Sequence, residues 1–196
     1  PYFDSMCRQG IFFERCFTPT FGTARGIFAT ITGIPDVQLS KFATRNEESV
    51  NQRTIINDFD GYEKFYFIGG RSQFNNFGGL IANINGVQLY EEGKYKSENI
   101  NVWGISDKNL FLEADEVLAK QQKPFFAIIQ TADNHRPFNI PAEDSDFVKR
   151  TIDPDTLQKY GFESLKEYQA FAYSDYCIRK FMEQAKTQPY FSNTIF

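Results

Sequence analysis

The run Pro124-Phe125-Phe126-Ala127-Ile128-Ile129-Gln130-Thr131 limits the folds open to this chain more than any other segment. Five consecutive apolar residues, with a proline before them and polar residues after, predict a strand over 124–131 buried on both faces. That is the position of a central strand in a parallel sheet. Further strands are expected over 11–17, over 64–68 before Gly69-Gly70, and over 87–90. Apolar spacing of about 3.6 predicts helices over 24–33, 47–59, 72–83, 107–120 and 163–185, with Asp107 as an N-cap. Parallel strands need crossover connections, so the alternation predicts an α/β fold with a mainly parallel sheet flanked by helices. One domain spanning 1–196 is expected, with no internal repeat or linker.

Composition narrows the function classes. At 196 residues and 41% hydrophobic, the chain can bury one substantial core. Its net charge of -4 carries no clustered basic patch and argues against a nucleic-acid partner. No apolar run reaches the roughly 18 residues of a membrane span. Cys7, Cys16 and Cys177 are an odd count without a CxxC pair, which points to buried free thiols, with a Cys7–Cys16 bridge left open. The chain opens on Pro1 without an initiator Met and stops on the apolar Ile195-Phe196. This predicts an internal piece of a longer protein, incomplete at both ends.

Two segments carry chemistry. In Phe21-Gly22-Thr23-Ala24-Arg25-Gly26 a hydroxyl and a guanidinium stand two residues apart where a helix should begin. Backbone N–H groups at a helix N-terminus favour an anion, and a guanidinium can fork onto phosphate or sulfate oxygens. By itself Thr23 also reads as an ordinary N-cap, the commonest role of a threonine before a helix. The second segment, Gln130-Thr131-Ala132-Asp133-Asn134-His135-Arg136-Pro137, follows the apolar strand, beyond whose carboxyl end ligands gather in such sheets. His135, the one histidine in the chain, can bind an oxyanion when protonated and take part in proton transfer to a leaving group. Gly69-Gly70 and Gly78-Gly79 lack phosphate-loop spacing, which weakens a flavodoxin-like nucleotide binder and assigns them to turns and close packing.

Four motifs in register resemble the sulfatase-like branch of the alkaline phosphatase superfamily, and within it the lipoteichoic acid synthase and phosphoglycerol transferase group. Thr23-Ala24-Arg25-Gly26 with the Gly33-Ile34-Pro35 exit is similar to its nucleophile helix. Phe67-Ile68-Gly69-Gly70 with Phe74-Asn75-Asn76 is similar to its Gly-Gly loop, and Val102-Trp103-Gly104-Ile105-Ser106-Asp107 to its helix entry. Pro124-Phe125-Phe126 through Asn134-His135-Arg136-Pro137-Phe138 is similar to its strand and histidine loop.

The resemblance implies a metal-dependent, two-step transfer of a phosphoryl group, or its hydrolysis, through a threonine nucleophile. Thr23 would be nucleophile and metal ligand; His135, Arg25 and Asn134 would bind substrate, with Arg25 holding either the anion or the helix entry. The implied cofactor is a divalent ion, manganese first, with zinc, magnesium or calcium as alternatives. The family's remaining ligands, an acidic strand end and an Asp-His pair, are not found in these 196 residues, so weak or no metal binding and no activity are expected of this piece alone. Asn75 and Phe77 stand where lipoteichoic acid synthases place an aromatic and a basic residue for glycerol phosphate, with Arg71 nearby as a replacement cation. The implied substrate is a phospholipid-derived or other phosphate or sulfate ester, handled outside the cytoplasm by a membrane-tethered full-length protein. A sulfate ester hydrolase and a non-catalytic domain retaining the fold are the alternatives.

Overall fold

The structure, a computed structural model, describes residues 1–38 and 40–196. Strands β1 (Glu63–Ile68), β2 (Val87–Tyr90) and β3 (Phe125–Gln130) form a parallel sheet in the order β2-β1-β3. Lys64 pairs with Val87 on one side, and Glu63 through Ile68 pair with Phe125 through Gln130 on the other. The centre is therefore β1, whose Phe65, Tyr66 and Phe67 are almost fully buried. β3, expected at the centre, is an edge strand among the described residues and is half-buried along its whole length. Its apolar run marks contact with helices on both faces, which an edge strand makes as readily as a central one.

The strands alternate their side chains between two layers. Tyr66, Ile68 and, from β3, Phe126 and Ile128 pack against α2 (Thr23–Thr32) and α4 (Phe77–Ala82) through Phe28, Ile31, Phe77 and Leu80. Phe65, Phe67, Ala127 and Ile129 face α5 (Asp107–Leu118) through Leu110, Ala114 and Leu118. Outside α5 lies α7 (Leu165–Ala185), where Phe111 meets Phe181 with ring centroids 5.0 Å apart. This is an α/β fold with helices on both faces of a parallel sheet.

Several elements differ from expectation. No strand forms over 11–17, where Ile11, Phe12, Phe13 and Phe17 are exposed; no described strand lies alongside to pair its backbone, and β structure exists only as a pair. The helix expected over 47–59 breaks into α3 (Glu47–Val50) and a 3-10 turn, Ile55–Asp58. Asn46 Oδ1 accepts from Ser49 N at 3.1 Å and caps the start of α3, and Asn57 Oδ1 accepts from Thr54 N at 2.7 Å and caps the start of the 3-10 turn; between them Asn51, with φ -87 and ψ 56, leaves the helical region and breaks the ladder. Over 72–83, Asn75 and Asn76 adopt positive φ, and the helix is confined to α4. Helix α5 is capped by Ser106, with Asp107 as its first residue rather than its cap. Two short helices were unforeseen, α1 (Tyr2–Cys7) and α6 (Pro154–Lys159); the latter carries a readable signal in Asp153-Pro154, cap and first residue. All three cysteines are free, and Cys16 is exposed, not buried.

Candidate functional site

Gly22 is the N-cap of α2 and offers no side chain to the cap, so Thr23 is the first helical residue and its hydroxyl is not used as an N-cap. Thr23 Oγ1 lies 3.4 Å from Nε2 of His135, across 112 residues of chain. His135 stands in the loop that leaves β3, and Ile68 of β1 is level with Gln130 at its end, so both groups sit beyond the carboxyl ends of the sheet. The hydroxyl and the imidazole thus share a helix N-terminus and a strand end, the two backbone features best suited to receive an anion.

The histidine loop is pinned from behind by two buried carboxylates. Asp133 Oδ2 accepts from the backbone N–H of Asp107 at 2.7 Å, satisfying an orphan donor of α5. Asp107 returns the contact, Oδ1 accepting from Ala132 N at 2.7 Å and Oδ2 from Asp133 N at 3.2 Å. Burial raises both carboxyls above the ordinary aspartate range, and for Asp133 the neighbouring Asp107 charge adds to it.

A cavity of about 610 Å³ opens over Thr23 and His135. Its walls include Phe74, Trp103, Arg71 and Gln130. Gln130 is oriented by the Tyr66 hydroxyl, which donates to its Oε1 at 2.5 Å. Arg71 carries the cavity's guanidinium but is paired with Glu92 Oε1 at 3.0 Å.

Of the residues singled out in the sequence, Thr23 and His135 are brought together, while Arg25 and Asn134 are not part of the cavity wall. Arg25 is buried; its Nη2 donates to the Gln38 carbonyl at 2.7 Å, its Nε lies 3.9 Å from Asp36, and its guanidinium sits 4.3 Å from the Phe42 ring centre. Asn134 is exposed on the loop. Asn75 binds Arg45 and is not part of the cavity wall, while Phe77 is buried core that also lines it; neither side chain carries a charge. Trp103 and Asp133 were missed as site residues, although both lie inside segments already picked out as motifs. Among the described residues, no group of three or more His, Cys, Asp or Glu comes together to hold a cation. Thr23 and His135 alone do not make a divalent-ion site.

The family model described as Sulfatase matches residues 1–196. The chain belongs to the sulfatase family. Within that family it is 25% identical over 169 residues to lipoteichoic acid synthase 1 of Bacillus subtilis, covering 85% of this chain and 25% of that protein. The lipoteichoic acid synthase of Staphylococcus aureus is 22% identical over a stretch of the same length, again 25% of its length. Among solved structures, a protein of the alkaline phosphatase superfamily from Vibrio parahaemolyticus superposes with a TM-score of 0.79 at 29% identity, covering 97% of this chain and 45% of that one. The lipoteichoic acid synthase LtaP from Listeria monocytogenes superposes with a TM-score of 0.76 at 18% identity, covering 95% and 46%. This sulfatase-family chain therefore spans about a quarter of the length of these curated relatives and under half of the solved ones.

Proposed function

We propose that the full-length protein is a phosphoryl-group transferase or hydrolase in which Thr23 is the nucleophile and His135 serves the oxygens of the ester. The observation that carries the reading is the 3.4 Å approach of Thr23 Oγ1 to His135 Nε2 at the carboxyl ends of the strands. Sulfatase-family membership and the lipoteichoic acid synthase relatives support the reaction class.

In this reading Thr23 Oγ1 attacks phosphorus, the Oγ–P bond forms as the bond to the leaving oxygen breaks, and the hydroxyl proton ends on the leaving alcohol. His135, hydrogen-bonded to the reacting oxygens, holds that proton in transit or donates to a non-bridging oxygen. Water or an acceptor hydroxyl then attacks the phosphothreonine, frees Thr23 and carries away the phosphoryl group. The N-terminal end of α2 stabilises the negative charge that develops there.

The substrate class proposed is a phosphate ester, phospholipid-derived first. The location proposed is the outer face of a membrane or the periplasm; no helix among the described residues is long and apolar enough to cross a membrane. Divalent-ion dependence, manganese first, is proposed for the full-length protein, with Thr23 as the contribution of these residues and the other ligands outside them. The test is turnover of a phosphodiester and of a sulfate ester by full-length protein with manganese added, beside Thr23→Ala. Phosphodiester turnover that falls by about 10³-fold or more in Thr23→Ala is the expected result. Sulfate ester turnover alone would reassign the substrate, and silence from both proteins on both esters would favour a non-catalytic domain.

A further inference from the structure

We propose that Trp103 is the positioning residue of His135, and that the close contact between the glycines at 69–70 and the backbone at 103–104 holds Trp103 in place. The inference rests on the reading of His135 as an active-site group.

The indole and imidazole ring centres lie 4.7 Å apart, with planes tilted by 31°. The indole Nε1–H also donates to the carbonyl of Arg136 at 2.7 Å, so one side chain grips both the ring of residue 135 and the backbone of residue 136. Phe74 meets the same indole edge to face, 5.1 Å between centres and 90° between planes. Trp103 is half-buried and lines the cavity, so it serves as a wall of the site.

Its own backbone is tightly specified. Asn101 Oδ1 accepts from Trp103 N at 2.7 Å, and Gly104 O accepts from Ile100 N at 2.9 Å. The turn lies directly on the end of β1: a Cβ on Gly70 would fall 2.5 Å from the Trp103 carbonyl oxygen, and one on Gly104 would fall 2.0 Å from the Gly69 carbonyl oxygen. Gly104 also has φ +109, a conformation that side chains rarely adopt. The glycines therefore bring the tryptophan turn against the strand end from which the cavity opens. Asp107 holds the loop at Ala132 and Asp133, and Trp103 holds it at residues 135 and 136. Without the indole, an exposed imidazole spreads over several rotamers, and displacement of about 1 Å is enough to cost about 10²-fold in rate.

The experiment is a double-mutant cycle in the full-length protein, with bis(p-nitrophenyl) phosphate as substrate and manganese added. Trp103→Leu is expected to lower kcat about tenfold or more with KM changed less than threefold, and Trp103→Phe, which keeps a ring over the imidazole, to recover most of that loss. In a His135→Ala background, Trp103→Leu is expected to cost less than twofold, because there is no imidazole left to position. An equal fold-loss in both backgrounds would overturn the proposal, since it would mean that Trp103 acts on stability or on substrate directly. Trp103→Phe as slow as Trp103→Leu would overturn the stacking argument even if the leucine variant folds poorly. A His135→Ala enzyme at the wild-type rate would remove the parent reading, a result separate from a slow His135→Ala enzyme with additive losses.

Discussion

At the residue scale, direction decides role. Thr23 and Arg25 are two apart on a helix, and residues at that spacing do not face each other. Thr23 therefore reaches His135 while Arg25 turns into the core toward Asp36 and Gln38. The sequence made the pair legible as an anion site, but helical geometry divides it. Asp133 leads to a prediction of its own. Its folded pKa and that of Asp107 are raised, so the folded state holds protons that the unfolded state has released. Stability must then fall as pH rises from about 4, the ordinary aspartate value, through the raised folded values. The slope can reach about 1.4 kcal/mol per pH unit for each proton held. Asp133→Asn keeps an oxygen for the Asp107 N–H and removes one charge, so its melting temperature is expected to vary less between pH 5 and 8.5 than that of the parent. An unchanged pH profile would show that the pair does not carry the linkage.

At the element scale, pairing and punctuation outweigh hydropathy. The 124–131 run was legible as a strand, and its loop as a site, because an apolar run ending in polar residues is local information. Its place at the sheet edge was not, because strand order depends on which distant backbone pairs with it. The same holds for 11–17, where a β-like pattern meets no described partner and forms no strand. The helices expected over 47–59 and 72–83 break where Asn51, Asn75 and Asn76 leave the right-handed helical region, a signal present in the sequence but weaker than the apolar period. The contact between the β1 end and the 103–104 turn gives the element-scale prediction. Gly104→Ala combines overpacking with positive-φ strain, each costing about 1–3 kcal/mol, and is expected to lower the melting temperature by several degrees. Gly10→Ala, whose added carbon comes no closer than 3.8 Å to Met6 O, is expected to change it little. Thermal melts of the two variants side by side provide the check.

At the scale of the whole molecule, this chain shares the sulfatase-family fold while spanning 45% to 46% of the solved relatives described here. The described residues bring the Thr23 hydroxyl and the His135 imidazole together at the site, without a cluster of metal-ligating side chains. The 196-residue chain on its own is therefore expected to bind manganese weakly and to show no phosphodiester turnover, in contrast to the full-length protein. Calorimetric titration with manganese chloride checks this, and tight stoichiometric binding would contradict it. The sequence by itself determined the fold class, the strand–helix alternation and the two segments that meet at the site. These follow from periodicity and from short motifs, which are properties of neighbours along the chain. Only the tertiary structure decided that β1 is central, that Arg25 is turned into the core, and that Trp103 and the Asp107–Asp133 pair hold the histidine loop. Those contacts join residues 11 to 62 positions apart, and their energies depend on burial and direction that no local pattern encodes.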